Sequence, residues 1–237
     1  MMTTPGRGSP GSRRTTLTAS REGGGGSVTQ AVRAHTRGTW RASAATFLVT
    51  NDIDRGTHGR MRDVLVVLDL FQDFGHEDGE PLLASLSARR DVIARVLDQA
   101  RRLEVPIVFA NDHPGVWDSD ARRIVAQALS GPGGHELRDL VPQSGERIVL
   151  KPRYSAFEHT PLALLLEEID CERVVLIGMT TEGCVAQSAI DARELGYKVS
   201  IVPTACGTTD LHLERIALEY LNEVVGVYLL DADVFSP

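Results

Sequence analysis

From Asp63 to Leu230, short apolar runs alternate with stretches of helical periodicity, and this alternation constrains the chain more than any other feature. The runs are Asp63–Leu70 (DVLVVLDL), Pro106–Asn111 (PIVFAN), Arg147–Leu150, Arg173–Met179 (RVVLIGM), Lys198–Pro203 (KVSIVP) and Val225–Leu230. Runs this short and this apolar suit strands buried on both faces. Between the first two, Leu83, Leu86, Val92, Ile93, Val96, Leu97 and Ala100 fall at helical spacing within Leu82–Leu103. Ser119–Leu129, Thr160–Ile169, Thr181–Leu195 and Leu211–Leu221 read as four more helices. Thr160-Pro161 supplies an N-cap and a first-turn proline, and Gly196 stops the helix before it. Six strands alternating with five helices predict an α/β fold: a doubly wound, six-stranded parallel sheet with helices on both faces, Rossmann-like in layout. Ser130–Glu146, with Gly131-Pro132-Gly133-Gly134, reads as a loop near the carboxyl edge of that sheet.

Residues 1–60 differ from the rest. They hold Gly23-Gly24-Gly25-Gly26-Ser27, little apolar periodicity, and nine Arg against three acidic residues. Such a stretch cannot bury enough surface to offset chain entropy, so a disordered N-terminal extension is expected, with the domain in 61–237. The whole chain carries a net charge of −7, so the domain is acidic and a poor match for a nucleic-acid backbone. No apolar run is long enough to span a membrane. Three cysteines at irregular spacing form neither a disulfide framework nor a CxxC metal site, which points to a reducing, cytoplasmic setting.

In an open parallel sheet, ligands bind outside the carboxyl ends of the strands, so reactive side chains are sought there. Asp69 ends the first apolar run, where a carboxylate is costly unless paired or hydrogen-bonded. Lys151, one of only two lysines, follows the third run. Lys can give up its proton when buried and Arg cannot. Cys184 follows Gly178-Met179-Thr180-Thr181-Glu182-Gly183 at the first turn of a helix, where free N–H groups and the helix dipole lower a thiol's pKa and can bind an oxyanion. Cys171 and Cys206 read as buried and inert; Cys206, placed just past a strand end, is the weaker rival nucleophile. No GxGxxG follows the first strand, which argues against a dinucleotide enzyme.

These three segments carry a resemblance. Val66-Val67-Leu68-Asp69-Leu70-Phe71-Gln72-Asp73-Phe74, Lys151-Pro152-Arg153-Tyr154-Ser155-Ala156-Phe157 and Gly178-Met179-Thr180-Thr181-Glu182-Gly183-Cys184 resemble, in order and in strand placement, motifs of the isochorismatase-like cysteine hydrolases. The resemblance covers about residues 63–234. It implies an Asp69, Lys151, Cys184 catalytic triad, a thioester intermediate, backbone N–H groups of Thr180 and Cys184 as the oxyanion hole, and a cis peptide at Met179–Thr180. The implied reaction is hydrolysis of an amide or carbamoyl C–N bond of a small molecule, with no cofactor and with assembly into a homo-oligomer. Isochorismatase-type vinyl ether hydrolysis, which needs no thioester, and a non-catalytic binding member remain as alternatives. Phe74, His113, Trp117, Tyr154 and Phe157 are expected to line the substrate pocket. Asn111-Asp112-His113 occupies the place of an Asp-x-His metal pair in the nicotinamidase branch. Asn111 stands for the Asp, so no metal is expected.

Overall fold

The computed structural model describes residues 62–113 and 120–235. The expectations for residues 1–60 and for Trp117 lie outside the described residues. The described residues belong to one unit. It has six strands, β1 (Asp63–Leu68), β2 (Ile107–Asp112), β3 (Arg147–Lys151), β4 (Arg173–Met179), β5 (Lys198–Gly207) and β6 (Tyr228–Leu229). All pair in parallel, in the order β3-β2-β1-β4-β5-β6. This is the doubly wound arrangement that the alternation predicts, and its topological switch point falls between β1 and β4.

Strand alternation splits the core into two layers. Leu65 and Val67 of β1, with Val175 and Ile177 of β4, pack on one face against α1 (Gly79–Arg102), through Leu86, Ile93 and Leu97. Val64, Val66 and Leu68, with Val174 and Leu176, pack on the other face against α4 (Leu162–Glu168) and α5 (Ala186–Glu194). The first face also receives α2 (Ala121–Ser130), capped by the Asp120 side chain, which accepts the Arg123 N–H. Asp210 caps α6 (Leu211–Tyr220) in the same way. Among the described residues no helix is long and apolar enough to cross a membrane.

The structure departs from the expectations in several places. A short helix, α3 (Gly134–Leu137), interrupts the loop expected over Ser130–Glu146. The helix α4 starts at Leu162 with Pro161 as its N-cap, and Thr160 Oγ1 accepts the Leu162 N–H at 3.2 Å. The strand β5 runs past Pro203 to Gly207 because its ladder with β4 breaks there: Ile201 pairs with Leu176, and the next pairing is Cys206 with Gly178. Pro203 sits in that irregularity, where a missing N–H costs nothing. The segment Thr181–Val185 is a π turn leading into α5, so Cys184 does not sit in an α-helical first turn.

Candidate active site

Three strand ends converge at the carboxyl edge of the sheet. Asp69 directly follows β1 with a positive φ of 46°, a conformation Asp tolerates better than most residues. The strand β3 ends at Lys151, which lies opposite Asp112 of β2 in the ladder. After β4, Gly178 has φ 120°, and a Cβ there would stand 2.0 Å from the Leu68 carbonyl oxygen. Only glycine allows β4 to pass this close to the end of β1. The chain then runs through the cis Met179–Thr180 peptide, as expected, into the π turn bearing Cys184.

Lys151 is 1% exposed, and Asp69 is 8% exposed. The Lys151 ammonium lies 2.8 Å from Asp69 Oδ2. It also donates to the Arg153 carbonyl at 2.9 Å and to Cys184 Sγ at 3.3 Å. The ammonium thus makes one ion pair and two hydrogen bonds. Asp69 Oδ1 accepts the Asp112 N–H at 2.7 Å, and the carboxylate and the Cys184 thiol interact electrostatically. The structure therefore brings all three proposed catalytic side chains together.

The charges in this cluster follow from burial and neighbours. Burial raises the Asp69 carboxyl above its ordinary value, against the pull of the Lys151 ammonium. Burial alone would lower Lys151, but the Asp69 carboxylate and the Cys184 sulfur beside it raise it above its ordinary value. The Cys184 thiol is pushed up to about 12 by burial and then by the Asp69 charge, which together outweigh Lys151. This corrects the expectation of a thiol acidified by a helix N-terminus. With its thiol pushed up to about 12, Cys184 favours the neutral form.

The cluster opens into a cavity of about 520 Å³ that Asp69, Lys151, Thr180 and Cys184 all line. Phe71, Leu82 and Ile124 give it apolar walls, and Gln72, Gln127 and Tyr154 supply polar groups. Of the expected pocket residues, Tyr154 reaches it. Phe74 does not: its ring packs in the core, so close to Gly133 that a Cβ there would meet it at 2.4 Å. Phe157 stacks instead on Tyr197, with ring centroids 6.4 Å apart, on the α4–α5 face. His113, half-buried, is not among the lining residues. Gln72 lies inside a motif already singled out. Ile124 and Gln127 were missed, and only their spacing on α2, three residues apart, hints that they share a face.

Asn111 is committed elsewhere. Its Oδ1 accepts the Phe71 N–H at 2.9 Å and its Nδ2 donates to the Phe71 carbonyl at 2.8 Å. Among the described residues no three His, Cys, Asp or Glu side chains gather as a metal would require. Cys206 lies inside β5, fully buried, and not past a strand end as expected. Cys171 is half-buried, with its thiol donating to the Arg173 carbonyl at 3.4 Å.

The site thus sets a carboxylate, an ammonium and a cysteine side by side at the carboxyl edge of a doubly wound sheet. Residues 63–233 match the family model described as Isochorismatase domain, and the chain belongs to the isochorismatase family of hydrolases. An uncharacterised isochorismatase family protein of Bacillus subtilis is 28% identical over 68% of this chain and 89% of its own length. The maleamate amidohydrolase of Pseudomonas putida is 30% identical over 62% of this chain and 72% of its own. The crystal structure of a pyrazinamidase/nicotinamidase from Streptococcus mutans is similar at a TM-score of 0.58, with 27% identity, covering 71% of this chain and 99% of that one.

Proposed function

We propose that this chain is a cysteine amidohydrolase that cleaves the C–N bond of a small amide or carbamoyl compound through a thioester. One observation carries the reading: Lys151 lies 2.8 Å from Asp69 and 3.3 Å from Cys184 on the wall of a cavity of about 520 Å³. The names of two relatives, a maleamate amidohydrolase and a pyrazinamidase/nicotinamidase, support the amide class.

The chemistry follows from the charges. Cys184 Sγ attacks the carbonyl carbon as its proton passes to the Asp69 carboxylate, which avoids a free thiolate. Lys151 stays cationic and steadies both the sulfur and the carboxylate. The oxygen of the tetrahedral intermediate lies against the backbone N–H groups of Thr180 and Cys184. Collapse breaks the C–N bond, and the amine leaves with the proton held by Asp69. Water then attacks the thioester while Asp69 takes its proton. The second collapse returns that proton to sulfur and releases the acid.

The test is a panel of maleamate, nicotinamide, N-carbamoyl amino acids and isochorismate against the wild type and Cys184→Ala. Ammonia release from an amide or carbamoyl compound, lost by about a thousandfold or more in Cys184→Ala, is expected. Turnover of isochorismate that survives in Cys184→Ala would overturn the reading in favour of ether hydrolysis, with Asp69 as the acid.

A further inference from the structure

Next to the cysteine turn lies a polar cluster that does not line the cavity and that the chemistry above does not use. Thr181, the second residue after β4, is fully buried. Its Oγ1 is 3.1 Å from the Gly207 carbonyl oxygen at the end of β5 and 3.1 Å from Glu214 Oε1 on α6. Arg89 of α1 binds both carboxylate oxygens of Glu214, at 3.1 and 3.0 Å. The same guanidinium donates to Ser85 at 2.8 Å, and Ser85 accepts the Thr208 N–H at 3.0 Å. Four separate pieces of chain, α1, the π turn, the end of β5 and α6, meet in this one network.

A largely buried ion pair is costly to desolvate, and apolar residues of like volume often do as well or better for stability. What such a pair supplies is a fixed geometry. Here the fixed point is Thr181, which lies between Thr180 and Cys184 in the chain. These are the two residues whose N–H groups the proposed mechanism aims at the oxyanion. A π turn closes its backbone bonds one residue wider than an α-helix, here from the Val185 N–H to the Thr180 carbonyl at 3.1 Å, and such turns recur at functional sites.

We propose that Glu214, held by Arg89, is a positioning residue that fixes the oxyanion-binding backbone of Thr180 and Cys184 through the Thr181 hydroxyl. This inference rests on the cysteine reading given above. It separates two properties of the site. Alkylation of Cys184 needs the sulfur, Asp69 and Lys151 but develops no oxyanion. Acyl transfer needs all of these and the N–H pair as well. Loosening the turn therefore slows acyl transfer and spares alkylation, and small misplacements of such donors are costly in rate.

The test uses the full-length protein, with p-nitrophenyl acetate as the acyl probe and iodoacetamide as the alkylating probe. Variants Glu214→Ala, Glu214→Gln and Thr181→Val are compared at a temperature where thermal melting shows each to be folded. Thr181→Val keeps the side-chain volume and removes only the hydroxyl, so it tests the contact even where Glu214→Ala fails to fold. In Thr181→Val and Glu214→Ala, kcat for the acyl probe is expected to fall about tenfold or more with KM little changed. Alkylation of Cys184, followed by peptide mass spectrometry, is expected to stay within about twofold. Glu214→Gln, which still reaches Thr181, is expected to recover most of the loss. If kcat stays within about twofold of the wild type, or if kcat and alkylation fall together with melting temperature, the positioning role is overturned. Acyl-probe hydrolysis that persists in Cys184→Ala overturns the cysteine reading itself. Hydrolysis lost in Cys184→Ala but intact in Thr181→Val overturns only the present inference.

Discussion

Lys151 is buried with one ion pair and two hydrogen bonds, so replacing it removes an ion-pair partner, a loop contact and a thiol contact at once. Lys151→Met leaves Asp69 buried and uncompensated, and breaking a buried pair from one side costs about 3–5 kcal/mol. The double variant Asp69→Asn/Lys151→Met removes both charges. Urea denaturation is expected to find it more stable than Lys151→Met alone, while turnover stays lost in both. A double variant no more stable than the single would show that the pair is not electrostatically coupled. Acidity gives a second handle. Turnover needs Asp69 ionised, and burial raises its pKa above the ordinary 3.8. Activity is therefore retained above that raised pKa and lost as pH falls through it, with the midpoint of the acid limb of kcat/KM above 3.8. Lys151 pulls the Asp69 pKa down, so in Lys151→Met the limb, read from Cys184 alkylation, moves to still higher pH. A limb that stays put in that variant would mean another group sets it.

At the scale of elements, Asn111 shows why a motif reads differently here. Its amide both accepts from and donates to the Phe71 backbone, clasping the chain after β1 to the end of β2. An Asp could accept but not donate, and it would face the Phe71 carbonyl with a second acceptor. Asn111→Asp is expected to lower stability by about 1–3 kcal/mol in chemical denaturation. An unchanged midpoint would show the clasp to be dispensable. The same contrast marks how far the sequence could be read. The buried strands were legible because β1 and β4 are apolar on both faces, and Asp69 stood out because a carboxylate has no packing reason to be there. The limits of β5 were not legible, since Pro203 reads as a stop and its tolerance depends on a ladder break that only pairing with β4 creates. The π turn was equally hidden, because Thr181–Leu195 has the periodicity of a plain helix. Phe74 and Phe157 sit next to reactive residues in sequence, yet adjacency says nothing about facing. Phe74 turns into the core at a positive φ of 54°, and Phe157 finds Tyr197. The acidity of Cys184 was misjudged for a related reason: local helix geometry is visible in a sequence, whereas burial beside Asp69 is a product of three distant segments.

For the whole molecule, the family match and the described strands begin together, at residue 63. Leu65 is already fully buried. A chain beginning at Met61 is accordingly expected to fold and to keep full turnover, by circular dichroism and by activity on the same substrate. Loss of either would tie residues 1–60 to the domain. The sheet order has one more consequence. Lys151 lies on β3, an outermost strand with a single neighbour, while Asp69 and Cys184 flank the centre. Edge elements open locally at lower free energy than the centre of a sheet. Partial release of β3 would carry away the ammonium and leave the rest standing, so the catalyst fails before the architecture does. In a urea titration, activity is expected to vanish at a lower concentration than the far-ultraviolet signal, and on refolding it should return last. Turnover in this protein is thus a gauge of whether its final strand has docked.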